Sequence, residues 1–329
     1  MTDFGTQQAS AGERPLITFA LFAYNQEKYI REAVESALSQ TYEPLEIILS
    51  DDSSTDQTYE IIQEISDKYN GSHKIAINRN EKNMGISSHV RKIHEISKGR
   101  IVIHAAGDDI SSPERALHLF NAFEKTSNTP SMVVSNAIKI DKYRKGLGLL
   151  SIGHDAVIID NNRCPLRVKL PINGCTIAIS RKLIEKFPAP IEGLIAEDVL
   201  LQRRASLLDG IIYIPDALVE YRIHEDAITA KKNDKTHELK RLQILHNDRL
   251  TRLEQFKIDA NHIGHQLSKE DEAIFSRDKK SIELGWNVLN GSIMLGLWML
   301  AKSFFYELVI GGSISYFKDR VRLFLLKWF

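Results

Sequence analysis

The 329 residues are 43% hydrophobic and 26% charged, with 43 Lys+Arg balancing 43 Asp+Glu. That composition supplies a sizeable apolar core, and the zero net charge, without a basic tract or a nucleic-acid motif, argues against nucleic acid as a partner. The two cysteines, Cys164 and Cys175, make no C-x-x-C, so buried thiols in a reducing cytoplasm are expected rather than a disulfide framework.

Residues 1–14 are polar and lack an apolar signal region, and are read as a flexible leader. Ile17 to Ala23 is an apolar run that predicts a strand buried on both faces. Glu27 to Ser39 sets Ile30, Val34, Ala37 and Leu38 at helical spacing. Leu45 to Leu49 predicts a second strand, ending in Ser50-Asp51-Asp52. Tyr59, Ile62, Ile65 and Tyr69 mark a helix, and Lys74 to Ile77 a third strand. Val90, Ile93 and Ile96 mark a further helix with Gly99 read as its C′ residue. Ile101 to Ala106 is a fourth strand leading into Gly107-Asp108-Asp109, and a helix from about Pro113 runs to about Lys125. This β-α alternation predicts a parallel sheet covered on both faces. Ligands of such sheets bind at the carboxyl ends of the strands, where Tyr24-Asn25, Asp51-Asp52 and Asp108-Asp109 fall.

Farther along, Met132 to Ser135 and Ala137 to Ile140 read as strands, and Lys142 to His154 as a Gly-rich loop. Thr176 to Ile179 reads as a strand before a short helix closed by Pro188 and Pro190. Val199 to Leu208 reads as a helix behind Glu197-Asp198, and Ile211 to Ile214 and Ala217 to Ile223 as strands. A charged helical region follows to about residue 280. Leu284 to Ala301 carries no charge, and the terminal SYFKDRVRLFLLKWF interleaves basic and aromatic residues. These segments predict attachment to a membrane surface, with burial against the catalytic domain or a dimer partner, hence a homo-oligomer, and a true span as competing readings.

Four clusters carry chemistry. Acids at the end of the second strand can grip base and ribose donors, though Ser54 or Thr55 there can equally cap a helix. Asp108-Asp109 can hold a hard divalent cation against a diphosphate, or cap the helix at Pro113. Glu197-Asp198 can accept a proton from a sugar hydroxyl, or sit in a helix first turn for its dipole. His224 can be a metal ligand or a structural histidine.

In their order along the chain these clusters resemble a family 2 glycosyltransferase with the GT-A fold. The segment ITFALFAYNQEKYIREAVESALSQTYEPLEIILSDDSSTDQT resembles the opening of that family. Asn83-Met84-Gly85 resembles its N-x-G element, Gly107-Asp108-Asp109 its D-x-D region, Glu197-Asp198 its E-D motif and Tyr221-Arg222-Ile223-His224 its Y-R-x-H element. One departure is Ala106, where the family's D-x-D-D begins with a carboxylate. The resemblance implies a GT-A catalytic domain over residues 15–232, a mostly parallel central sheet covered by helices, and a helical C-terminal region over residues 233–329. It implies an inverting, metal-dependent hexosyltransferase of the EC 2.4 class. The enzyme would move sugar from a UDP- or dTDP-sugar to a glycan or lipid-linked acceptor in surface-polysaccharide synthesis, on the inner face of the cell membrane.

By the same resemblance Asp198 is the base, with Glu197 beside it. Ala23, Tyr24, Asn25, Glu27, Asp51, Asp52, Asn83, Gly85, Gly107 and Asp108 contact the donor. Asp108, Asp109 and His224 hold Mn2+ or Mg2+. The loop from Lys142 to His154 and the floor from Ile172 to Thr176 would choose the sugar. The competing function is a catalytically inactive sugar-nucleotide-binding or scaffold module, for which Ala106 is the only support; a nucleotidyltransferase would need a Gly-rich basic loop where this chain has Ala23-Tyr24-Asn25-Gln26.

Overall fold

The computed structural model describes residues 14–125, 129–151, 157–159, 172–191, 194–225, 235–290 and 321. The leader, Cys164, residues 152–154 of the Gly-rich loop, residues 291–301 of the uncharged stretch and nearly all of the terminal aromatic segment lie outside them. The chain divides into two units. The first comprises residues 1–161, 169–186 and 197–223, and the second residues 162–168, 187–196 and 224–329.

The first unit is built on one sheet. Its strands are β1 (Ile17–Ala23), β2 (Leu45–Asp51), β3 (Lys74–Arg79), β4 (Ile101–Ala106), β5 (Ile110–Ser111), β6 (Met132–Ile140), β7 (Gly146–Leu149), β8 (Val157–Ile159), β9 (Ile177–Ser180) and β10 (Ile211–Arg222). Their order is β3-β2-β1-β4-β9-β6-β10-β5, with β7 beside β6 and β8 beside β10. Strands β3, β2, β1 and β4 are parallel, as expected, and β6 is parallel to β10. Strand β9 runs antiparallel to both β4 and β6, so the sheet is mixed rather than purely parallel. Among the described residues six α-helices belong to this unit: α1 (Ile30–Leu38), α2 (Thr58–Lys68), α3 (Ile86–Ile96), α4 (Arg115–Glu124), α5 (Arg181–Lys186) and α6 (Glu197–Leu207).

All seven residues of β1 and of β2 are buried; β1 accordingly reads as an apolar run broken only by Thr18, whereas β2 also buries Glu46, Ser50 and Asp51. Phe19, Leu21, Ile30, Val34, Ile47, Leu49, Ile103 and Phe123 belong to one continuous core. Helix α3 ends at Ser97, so Gly99 is not its C′ residue. A Cβ at Gly99 would collide with the backbone of Ile17 and Thr18, and the glycine is there for that close approach.

Polar groups are also buried beneath α3. Ser50 Oγ and His89 Nε2 share a hydrogen bond of 2.5 Å, and His94 Nε2 and His104 Nε2 one of 2.7 Å. Phe22 meets His89 and His104 edge-on at 5.3 and 5.2 Å. Burial holds all three histidines below their ordinary pKa, with His94 at about 3. Both members of the His94–His104 pair are therefore neutral, one donating and the other accepting.

Three expectations about elements changed. The two predicted strands in 132–140 are one strand, as are the two in 211–222; register shifts lie between Ile214 and Ala217 and between Ala217 and Val219, around Pro215. The Gly-rich loop folds back as β7, an exposed strand antiparallel to β6.

The second unit contains α7 (Lys235–His262) and α8 (Lys269–Asn290), which pack through Leu250, Leu253, Phe275 and Ile282. A reciprocal Ser268–Asp271 cap starts α8. In the same unit α7 holds the segment before α6. Asp248 Oδ1 accepts the N–H groups of Ile195 (2.7 Å) and Ala196 (3.2 Å), and Gln255 Oε1 that of Ile191 (2.7 Å). Among the described residues no helix is long and apolar enough to cross a membrane.

Candidate active site

The loops after β1 and β2 are fastened together side by side. Asn25 adopts φ 51°, a region asparagine tolerates, and its Oδ1 accepts the Thr55 N–H at 2.8 Å. Its own N–H donates to Ser54 Oγ at 2.9 Å. Asp56 Oδ2 accepts the Glu27 N–H at 3.1 Å, and Glu27 Oε2 accepts the Gln57 N–H at 3.0 Å. Ser54 and Thr55 therefore face the first loop rather than cap α2; it is Asp56 Oδ1 that accepts the N–H of Thr58, the first residue of that helix (3.0 Å). Tyr24, 44% exposed, stands at the open edge of this pair of loops, directly after Ala23.

The two adjacent acids at the end of β2 have different surroundings. Asp52 accepts three hydrogen bonds from within the protein. Its Oδ1 accepts from Asn80 Nδ2 (2.7 Å) and Met84 N (2.9 Å), and its Oδ2 from Gly85 N (3.0 Å). It holds the Asn83-Met84-Gly85 turn rather than standing open to base or ribose. Asp51 is wholly buried. Its Oδ2 accepts the Ser54 N–H at 2.9 Å and lies 3.6 Å from Arg79 Nε. Its Oδ1 has no hydrogen-bond partner. A buried acceptor without a donor is costly, about 1–3 kcal/mol, and is rare in native proteins.

Gly107-Asp108-Asp109 is the turn between β4 and β5, closed by Asp109 N–H to Ala106 C=O at 3.2 Å, and not a helix cap. Gly107 sits in a crowded corner: a Cβ there would lie 2.5 Å from Gln26 Oε1 and 3.0 Å from both Ala23 Cβ and Ile30 Cδ1. Asp109, expected as a metal ligand, is 5% exposed and turned inward. Its Oδ1 accepts the Arg222 N–H at 2.8 Å, and its carboxyl is hydrogen-bonded to Cys175. Burial, reinforced by repulsion from Asp108, raises its pKa to about 7. Asp108 is the partly exposed carboxylate of the pair. Ala106 packs on an apolar cluster of Ala137, Cys175 and Val219, where the family's first carboxylate would stand.

Glu197 and Asp198 form the first turn of α6 rather than preceding it. Asp198 Oδ1 accepts the Val199 N–H at 2.7 Å. Glu197 Oε1 lies 3.0 Å from where a Cβ on Gly174 would be, so the missing side chain gives it room beside the 3-10 turn Gly174–Thr176. That turn carries Cys175, and through it the structure connects Glu197 to Asp109. Arg115, fully buried, braces the same turn by donating to the Cys175 and His104 carbonyls at 2.5 and 2.7 Å. His224 follows β10 and opens the last segment of the second unit. Among the described residues no three His, Cys, Asp or Glu side chains form a metal-binding group. The supporting roles of Arg115, Cys175 and Arg222 were not assigned from sequence, although a buried Cys175 thiol was expected and Arg222 stood in the Y-R-x-H element.

The profile of Glycosyl transferase family 2 matches residues 18–187. A glucosyltransferase of Escherichia coli, described as a UDP-Glc:alpha-D-GlcNAc-diphosphoundecaprenol beta-1,3-glucosyltransferase, is 39% identical over 94 residues, 29% of this chain and 36% of its own. The structure of Staphylococcus aureus TarS 1-349 in complex with UDP-GlcNAc superposes with a TM-score of 0.54 at 16% identity, covering 94% of this chain and 90% of that one. A mannosyltransferase from Pyrobaculum calidifontis in complex with GDP-Man and Mn2+ superposes with a TM-score of 0.54 at 15% identity, covering 96% and 88%. These two likenesses establish a shared GT-A fold.

Proposed function

The chain belongs to glycosyl transferase family 2, and on that premise we propose that it moves a sugar from a nucleoside-diphosphate donor to a hydroxyl of a glycan or lipid-linked acceptor, with inversion, in the assembly of a surface polysaccharide. The observation that carries the reading is Asp51 Oδ1, a buried acceptor without a donor at the carboxyl end of β2. The N–H of a nucleobase would supply what it lacks. The donors UDP-GlcNAc and GDP-Man in the two superposed structures support a nucleotide sugar at these strand ends and leave both uracil and guanine in play.

The residues fit a divalent cation in one respect: Asp108 offers a partly exposed carboxylate, while Asp109 is turned away. Hard cations in such sites take few protein ligands and complete their shell with phosphate and water oxygens. Mn2+ or Mg2+ held there would neutralise the charge that builds on the departing diphosphate. The chain's own residues do the rest. Asp51 and the fastened loops at Tyr24-Asn25 and Ser54-Thr55 orient the nucleotide. Asp198 accepts the proton of the attacking acceptor hydroxyl, and Glu197 shapes the same corner. Fixing both substrates in line supplies much of the acceleration.

The test is calorimetry with UDP, dTDP, GDP and their common sugars, with and without Mn2+, on wild type and Asp108→Ala. Metal-dependent binding of one nucleotide, lost in the variant, is expected. Absence of binding by a folded wild type would replace this reading with that of an inactive module, to which Ala106 is the pointer.

A further inference from the structure

We infer that Arg222 is a positioning residue for Asp108, fixing the peptide from which the metal carboxylate projects; the inference rests on the role proposed for Asp108. Arg222 ends β10 and is 3% exposed. Its main-chain N–H holds Asp109 Oδ1 at 2.8 Å, and its Nε donates to the Asp108 carbonyl at 2.9 Å. One residue thus grips both halves of the Asp108–Asp109 pair across more than a hundred positions of sequence. The other donors are anchored too. Nη2 meets Glu32 Oε2 at 2.5 Å, and Nη1 points at the carbonyls of Asp141 and Lys142 at 3.5 and 3.4 Å. The guanidinium lies 4.8 Å from the Tyr29 ring centre.

This arrangement has three effects. Asp109 is captured and cannot swing outward to join Asp108. With its carbonyl pinned, Asp108 is left only its side-chain torsions, so its oxygens sweep a small volume. Glu32 offsets the guanidinium charge, so the clamp places little net positive charge beside a site meant for a cation. A lysine could keep the charge but not the planar fork that reaches four acceptors. Groups that orient a metal ligand in this way are worth about 10- to 100-fold in metal affinity.

The experiment titrates Mn2+ into the full chain by electron paramagnetic resonance of the free ion, with UDP and with GDP at saturation. Wild type is compared with Arg222→Lys, Glu32→Gln, Asp108→Asn and the Arg222→Lys/Asp108→Asn double variant, each checked for its thermal midpoint. Arg222→Lys should weaken Mn2+ binding by about 10- to 100-fold, and Glu32→Gln by less, with metal-free nucleotide binding unchanged. The double variant should bind no more weakly than Asp108→Asn alone, because the arginine acts through that carboxylate. A folded Arg222→Lys with wild-type affinity, or an additive double variant, overturns the inference. If Arg222→Lys does not fold, unchanged affinity in Glu32→Gln overturns it. A wild type that takes up no Mn2+ with either nucleotide overturns the role of Asp108 itself.

Discussion

Replacing His94 by glutamine should reduce the contribution that the buried histidine pair makes to acid sensitivity, by about 2 kcal/mol between pH 7 and pH 5. In the folded protein burial keeps His94 neutral down to about pH 3 and His104 well below its ordinary range. In the unfolded chain both take up a proton near pH 6.5. The unfolded state therefore binds more protons below that pH, and stability rises with pH through the window from about 3 to 6.5. Between pH 7 and pH 5 His94 accounts for about 2 kcal/mol, a large part of the 5–15 kcal/mol typical of a domain, and His104 acts in the same direction. Glutamine at position 94 can still hydrogen-bond His104 Nε2 but takes up no proton, so the share of His94 is lost. Urea midpoints followed by far-UV circular dichroism at pH 7 and pH 5, on both proteins, measure the difference. Equal pH dependence, or an imidazole resonance of His94 or His104 titrating above pH 5 in the folded state, would refute the reasoning. His89 shifts in the same direction in both proteins and cancels from the comparison.

Asp198→Asn should lower turnover by about 10²- to 10⁴-fold while leaving donor affinity intact, measured by product formation beside calorimetry; near-normal turnover would remove Asp198 as the base. Gly107→Ala should cost about 1–3 kcal/mol of stability, because the new methyl group meets Gln26, Ala23 and Ile30, and a thermal midpoint at the wild-type value would contradict the crowding. Asp248→Ala should destabilise by about 1–3 kcal/mol by leaving the Ile195 and Ala196 amides without their acceptor, and hydrogen exchange at those two amides should quicken.

The first half of the sheet was legible because its strands are buried on both faces. Ile17–Ala23 and Ile101–Ala106 matched to the residue, since a doubly covered strand shows an unbroken apolar run with polar ends. The second half hid its continuity. Pro215 cannot donate to a ladder, so Ile211–Arg222 reads as two strands, yet it runs on past the proline with shifts in register. Asn136 interrupts an apolar run in the same way, but it is 4% exposed and satisfied by Ser151 and by the backbone of Ala137. Strand β7 is exposed along its whole length and carries no burial pattern to read.

In the site, sequence located the carboxylate clusters but not how each carboxylate is held. Asp52 and Asp109 are held by amides at positions 80–85 and 222, and nothing local to either residue records those partners. Arg222 stood in the Y-R-x-H element by resemblance, but its reach to Asp108, Asp109 and Glu32 is not recorded in the local sequence.

The strand order also sorts the protein by ancestry of sequence. Strands β3, β2, β1 and β4, with the loops assigned to the nucleotide, come from residues 17–106 without interruption, and β6, β9 and β10 all come after residue 131. A recombination breakpoint just after α4 would therefore exchange one whole flank of the sheet while leaving the other intact. The features that reach across such a breakpoint near the site include the pairing of β5 with β10 and of β4 with β9, the contacts of Arg222 with Glu32, Asp108 and Asp109, and those of Cys175 with Asp109 and Arg115. Parents that match along that seam could trade the later flank while keeping the loops proposed to hold the nucleotide.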